Sequence, residues 1–382
     1  RAAIMVLVWL VSQAMGRRYD KRALLAWVAL VVLVARPMDI FSLGYQLTFG
    51  ITATLIWFGQ SFHERLFPGH LTFARYEPPD IFSRTWFVHR TARLLSASIL
   101  CWAVATPLIA SRVGIISPAA VPATMIVIPL VIVLLIAGYI GLVVGSIAPA
   151  TSAWVAAALA GLASVLLWVV GMFDKLPFAT VRLPMLSIGL TIALTGLVLY
   201  WLLKGRLESI ALWLATLVCT VWLTAELTLA GQLPASVVLR IDALDVGDGT
   251  CLLVRSGREA VLWDCGSLWP AIGQRTIPRA VRALGAWHVR SVIITHPNFD
   301  HYSGLLDSIE PLGIERVYLG QAFLDQAIAR PDGAAAALLA GLASKGVAVL
   351  TVARNDSLVF GNASIDFLSP AQGSRHQHDN DD

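Results

Sequence analysis

The chain has 382 residues, of which 57% are hydrophobic and 14% charged, with a mean hydropathy of +0.73. Soluble chains average about a quarter charged and about half apolar, so a soluble enzyme throughout is excluded. The net charge of +4 is unevenly held: residues 237–382 carry 12 Lys and Arg against 16 Asp and Glu, leaving 16 against 8 before them.

Apolar residues come in blocks before about Leu229, and an ordinary globular composition follows. Basic residues flanking apolar helices set topology by the positive-inside rule. A cationic path for a polyanion is the sharper reading of the same excess, and charge alone does not separate the two. Of the four cysteines, Cys101 and Cys219 lie in apolar segments and Cys251 and Cys265 beside predicted strands. No CxxC spacing occurs, so neither a zinc knuckle nor a disulfide framework is indicated.

In chain order, Arg1 directly precedes the apolar run 4–11, which lacks the basic n-region and cleavage pattern of a signal peptide. The last residues, 376–382, are polar and follow soon after a predicted strand, so truncation at both ends is expected. Residues 23–35 are short for a span and are broken by Arg36-Pro37. The segment 40–58 is apolar but laced with Ser42, Tyr45, Gln46, Thr48, Thr52 and Thr54. It spans, lies in the interface, or lines a wet cavity, with Gln46 and its threonines as pore candidates against ordinary helix packing. Residues 60–90, with Pro68, Pro78 and Pro79, read as a loop with a surface helix.

A helix needs roughly 20 mainly apolar residues to cross the hydrocarbon core. Segments 94–110, 122–144, 151–172, 185–203 and 210–229 supply four or five spans. Small residues recur in them, as in 158–164, which favours close helix packing. Glu226, near the end of the last run, is the main acid within these stretches. The basic loops 16–22 and 204–206 are expected to be cytoplasmic, which puts everything after Gly231 outside.

After Pro234 the periodicity changes, and we divide the chain into a membrane part, 1–232, and an α/β domain, 236–382. Residues 237–244 read as a strand, followed by the turn Gly247-Asp248-Gly249 and strands 250–255 and 260–264. A helix over 277–284, a buried strand over 291–295, a largely helical stretch over 323–344 and strands over 347–352 and 364–368 complete a layered α/β unit.

The chemistry concentrates in 292–304, where an apolar strand delivers His296, Asp300 and His301 within six residues. Imidazole and carboxylate suit zinc or a similar divalent ion, and a strand end fixes their directions. Asp264 stands at another strand end, where it would hold a ligating histidine from behind. Asp245 and Asp248 are better read as turn residues.

Three runs together, Asp245-Val246-Gly247-Asp248-Gly249-Thr250, Asp264-Cys265-Gly266 and Thr295-His296-Pro297-Asn298-Phe299-Asp300-His301, closely resemble the metallo-β-lactamase-type domain of the ComEC family of competence DNA-uptake channels. The membrane part agrees: Arg1-Ala2-Ala3-Ile4-Met5 is similar to the start of that family's membrane core. Asp39-Ile40-Phe41-Ser42-Leu43-Gly44-Tyr45-Gln46-Leu47-Thr48-Phe49 resembles its GFQLSF segment, with Tyr45 for Phe and Thr48 for Ser. The resemblance covers nearly the whole chain in the family's order. It implies a polytopic helical bundle followed by an αββα sandwich cut short at its C-terminal end.

The function implied is a multi-pass channel of the cell inner membrane or plasma membrane. It would pass a single strand of transforming DNA in natural competence. The extracytoplasmic domain would meet the duplex and degrade the other strand as a metal-dependent hydrolase. His296 would bind one divalent ion, zinc or manganese, and Asp300 with His301 a second, with Asp300 and Asp264 as the catalytic carboxylates. The bilayer, DNA, other competence proteins and further copies of the chain would be its partners. The sequence departs from the family pattern at Asn298, where His or Asp is usual, and at Asp248 and Thr250, where Gln and Asp are usual. The later His and Asp ligands fall beyond Asp382, and His376 and His378 belong to a polar tail. A mono-metal site or a domain without hydrolysis therefore stays open. So do a membrane-anchored metallo-hydrolase acting on another extracytoplasmic phosphodiester or lactone, and a transporter whose outer domain is a scaffold or gate.

Overall fold

The structure is a computed structural model that describes residues 20–70, 80, 83–177, 179–204 and 210–369. The apolar run 4–11, the segment 1–5, residues 16–19 and 205–206 of the two basic loops, Pro78 and Pro79, and the histidines at 376 and 378 lie outside these. The chain divides into two compact units, Arg1–Arg182 with Leu186–Leu223, and Leu183–Met185 with Thr224–Asp382.

The first unit is helical. Helix α1 (Lys21–Ala35) is capped by the Asp20 carboxylate, which accepts from the Arg22 N–H, and ends before Pro37. Helix α2 (Leu43–Leu66) starts at Ser42, whose hydroxyl accepts from the Tyr45 N–H. The segment whose state the sequence left open is thus a helix, and it runs past the expected boundary near residue 58. The hydroxyls of Thr48, Thr52 and Thr54 each donate to the carbonyl four residues back, so these groups are satisfied within the helix. The continuation through His63 is tied from outside: His63 Nδ1 lies 2.8 Å from Ser96 Oγ and its Nε2 2.8 Å from His70 Nδ1.

Helix α3 (Arg84–Val113) begins about three turns earlier than its apolar stretch, at a Ser83 cap. Helices α4 (Ala120–Ile147), α5 (Ser152–Asp174), α6 (Ile188–Lys204) and α7 (Ile210–Leu229) follow. Among the described residues, four helices are long and apolar enough to cross a membrane: α3, α4, α5 and α7. The expected span at 185–203 forms a helix only from Ile188, with 17 residues. Helices α4 and α5 bury no residue and expose large apolar side chains such as Leu142, Trp154 and Leu167. In water such faces would be unfavourable, whereas hydrocarbon accepts them.

The second unit is built on a six-stranded sheet: β1 (Arg240–Ala243), β2 (Leu252–Ser256), β3 (Glu259–Trp263), β4 (Ser291–Ile294), β5 (Arg316–Leu319) and β6 (Ala348–Thr351). The strands lie side by side in chain order, antiparallel through β3 and parallel from β3 onward. Alternate side chains serve two cores. Leu253, Leu262, Val292, Ile294, Val317 and Leu319 face α8 (Ile277–Ala283), α9 (Phe299–Tyr302), α10 (Leu305–Leu312), α11 (Gln321–Ala329) and α12 (Ala334–Ser344). Val254, Val261, Ile293 and Tyr318 face the hairpin β7 (Ser357–Phe360) and β8 (Ala363–Asp366). This is the expected α/β domain with helices on one face of a mixed sheet and further strands on the other.

Several boundaries differ from the sequence reading. The stretch 323–344 is two helices, because Pro331 removes an N–H and Gly333 starts α12 afresh. The first strand begins at Arg240, residues 234–237 being held in a turn by the Val237 N–H on the Pro234 carbonyl. Strands β5 and β7 and the short helices α9 and α10 were not anticipated.

One polar group fixes the start of the sheet. Arg255 is 4% exposed; its Nη2 donates to Asp242 Oδ2 at 2.8 Å across the β1–β2 ladder and its Nη1 to the Leu284 carbonyl at 2.5 Å. Burial raises the Asp242 pKa, but hydrogen bonds and charge from Arg240 and Arg255 outweigh it and hold the carboxyl below the usual range. This stabilisation is present above the unfolded-state value near 4 and is lost as pH falls through the depressed folded value. Replacing Asp242→Asn leaves the Arg255 charge buried without its counter-ion and should weaken the β1–β2 ladder by about 3 kcal/mol at neutral pH. Amide exchange of Ile241 and Val254 should accelerate accordingly, and the difference from the parent should vanish in acid.

Candidate functional site

Strand β3 ends at Trp263, and the N–H of Asp264 extends the parallel ladder by one bond, to the Ile293 carbonyl at 2.8 Å. Asp264 then adopts φ +59°, which turns the chain and aims its carboxylate along the end of β4. Left-handed backbone is uncommon outside glycine, though Asp and Asn tolerate it best. The side chain is buried and its oxygens are saturated. Oδ1 accepts the Thr295 N–H at 2.9 Å, the Thr295 hydroxyl stands 3.0 Å from both oxygens, and Oδ2 lies 2.8 Å from His301 Nδ1.

This network assigns the imidazole tautomers. An ionised carboxylate only accepts, so the Thr295 hydroxyl donates to Asp264 and the His301 Nδ1 carries the proton it shares with Oδ2. The Thr295 oxygen, having given its proton away, accepts from His296 Nδ1 at 3.0 Å. Both rings are thereby held with their lone pairs on Nε2, the form in which histidine binds metals. The ring centroids of His296 and His301 stand 3.9 Å apart, and His301 Nε2 lies 3.7 Å from Asp300 Oδ2.

The loops that carry these groups are fastened to one another. The Cys265 N–H donates to the His301 carbonyl at 2.7 Å, the Gly304 N–H to the Cys265 carbonyl at 2.9 Å, and the Thr250 N–H to the Asp300 carbonyl at 3.3 Å. Gly266 is required at this crossing, since a Cβ there would collide with the Asp300 carbonyl and the Tyr302 N–H. The Ser303 hydroxyl donates to the Ser267 carbonyl and accepts from the Ser267 N–H. Tyr302 is buried against Phe323, which anchors the four-residue helix α9 on which Asp300 and His301 sit.

The structure thus brings together all four residues singled out from the sequence, His296, Asp300, His301 and Asp264. Asp245 and Asp248 are exposed and outside this network; Asp248 contributes its carbonyl to the Leu268 N–H. Asn298 directly precedes α9. Thr295, the hub of the network, was missed; its signal was a hydroxyl residue between the apolar strand and His296. The donor chemistry suits a divalent ion in part. The two imidazoles are oriented for ligation and Asp300 stands beside one of them with its side chain 37% exposed. Among the described residues, however, no three His, Cys, Asp or Glu side chains converge as a metal-ligand group.

Asp264→Asn keeps the shape and tolerates the left-handed backbone, but replaces an acceptor by an amide and releases the His301 tautomer. Affinity for divalent metal should fall about 10–100-fold, as for other lost outer-shell partners. Titration of the full chain with cobalt, followed by its visible absorption, reads this directly; unchanged affinity would show that Asp264 does not govern ligation.

Comparison with known protein families gives two matches. Residues 1–208 match the family model described as Competence protein, and residues 244–318 match the Metallo-beta-lactamase superfamily. No curated protein matches the chain.

Proposed function

The chain belongs to the competence protein family, and from that premise we propose that it is a channel of the inner or plasma membrane. In this reading it takes up a single strand of transforming DNA, and its second unit lies outside as a metal-dependent hydrolase that degrades the strand left behind. The observation that carries the reading is the order of two families within one chain, a ComEC-type architecture. The four long apolar helices support the membrane part. The basic loops at 16–22 and 204–206, the second followed by α7, support an extracytoplasmic position for residues 236–382. Other competence proteins and further copies of the chain are the partners this role calls for.

For the hydrolase step, His296 would contribute to holding one divalent ion, zinc or manganese, and Asp300 with His301 to holding a second; such an ion would supply Lewis acidity toward a phosphodiester oxygen. The chain's own groups do the rest. Asp264, saturated and buried, acts through others: it fixes the His301 ring and, through Thr295, the His296 ring. Asp300, the more exposed carboxylate, would in this reading be the catalytic group that an incoming substrate meets. Exposed Phe299 beside it offers an apolar face to a nucleobase.

The test is uptake of labelled duplex DNA by a transformable host carrying the intact gene, a deletion, or His296→Ala/Asp300→Ala. Deletion should abolish arrival of label in the cytoplasm. The double variant should retain import while losing release of acid-soluble nucleotides outside. Normal import by the deletion strain would remove the channel role and leave a tethered hydrolase of another extracytoplasmic phosphodiester or lactone.

A further inference from the structure

The candidate site occupies the C-terminal ends of β3 and β4. At the opposite ends of the parallel strands, about 13 Å away for a four-residue strand, lies a cavity of about 550 Å³. It is lined by Arg255 near the end of β2, Arg258 in the β2–β3 turn, Arg290 just before β4 and Arg316 at the start of β5, together with Trp287. Glu259, the one acid among the lining residues, spends Oε2 on the Gly361 N–H at 2.9 Å. Glu315 stands 3.7 Å from Arg290, both well exposed. The basic cavity runs against the composition of its surroundings, since residues 237–382 carry more acids than bases.

Arg255 distinguishes the cavity from a chance cluster of surface arginines. It is almost wholly buried, two of its nitrogens are bonded to Asp242 and the Leu284 carbonyl, and its buried Nε–H has no protein acceptor. Its Nε is out of reach of solvent, so Arg255 acts on the cavity as a fixed positive charge in its wall, which favours an anion beside it. The facing wall comes from Leu227 and Thr228 in the last turn of α7 and from the residues after it. Gly231, at φ +76°, approaches so closely that a Cβ would stand 2.6 Å from the Gly285 carbonyl oxygen. Because α7 is long and apolar enough to cross a membrane, its last turn falls at the level of the lipid headgroups, where tryptophan side chains collect on either side of the bilayer.

We propose that this cavity binds the phosphate of an anionic phospholipid headgroup. The guanidinium groups of Arg258, Arg290 and Arg316 receive its oxygens in the planar geometry that suits phosphate, with Arg255 beneath.

The full chain in neutral detergent, with phosphatidylglycerol or phosphatidylcholine of identical acyl chains, tests this by native mass spectrometry. Arg290→Gln/Arg316→Gln alters two exposed residues, and Arg279→Gln/Arg354→Gln alters two exposed arginines away from the cavity. The parent and the control should retain phosphatidylglycerol over phosphatidylcholine, and the cavity variant should lose that retention at least about tenfold. Equal retention of the two lipids by the parent, or full retention by the cavity variant, would overturn the proposal. So would binding of inorganic phosphate alone without phosphatidylglycerol, or a short single-stranded oligonucleotide whose binding, rather than the lipid's, depends on Arg290 and Arg316.

Discussion

The carboxylate of Asp264 is buried at the one point where two strand ends and the loop after β4 meet, and a buried charge must have its lone pairs met by donors. Those donors are the backbone and hydroxyl of Thr295 and the ring of His301, groups 31 and 37 residues further on. Satisfying Asp264 therefore closes the loop, sets the crossing at Gly266 and dictates which imidazole nitrogens face outward. A left-handed φ at a non-glycine residue costs free energy. Here the backbone turn at Asp264 is what lets a single carboxylate reach Thr295 and His301 together.

The membrane part was legible because hydropathy reports a property of single segments. The runs at 122–144, 151–172 and 210–229 became helices with boundaries shifted by a few residues. Helix α2 was harder, since Gln60, His63 and Glu64 read as a polar loop. What keeps that stretch helical includes a bond to Ser96, 33 residues away. Likewise His296, Asp300 and His301 declared themselves by being nearly adjacent in sequence, whereas Thr295 acquires its role only from meeting Asp264. Strand β5, four residues long, carried too short a pattern to register, while Pro331 was a local signal of the helix break that an Ala-rich background concealed.

The two ends of the parallel strands are chemically unlike. At the C-terminal ends, acids and histidines gather around a carboxylate that only accepts; at the N-terminal ends, guanidinium groups gather around a carboxylate already engaged. A single sheet thus carries histidines and carboxylates at one end of its parallel strands and guanidinium groups at the other, separated by the buried length of β3 to β5. Because both faces of β3 to β5 are apolar and covered, these polar groups are confined to the strand ends and the loops that leave them.

Because the six strands lie in the sheet in the order in which they occur in the chain, no strand has to be threaded between two already paired. Each new strand pairs with its immediate predecessor, across short turns up to β3 and across helix-bearing connections of 21 to 28 residues after it, so no pairing has to wait for a distant part of the chain. The sheet is therefore suited to growth from its N-terminal end while the chain is still being made. The growing edge is always the newest strand, and the face holding Val254, Val261, Ile293 and Tyr318 stays bare until the hairpin at 357–366 arrives. Synthesis halted between β6 and β7 would leave a nearly finished sheet with one uncovered apolar side, the intermediate of this unit most in need of a chaperone.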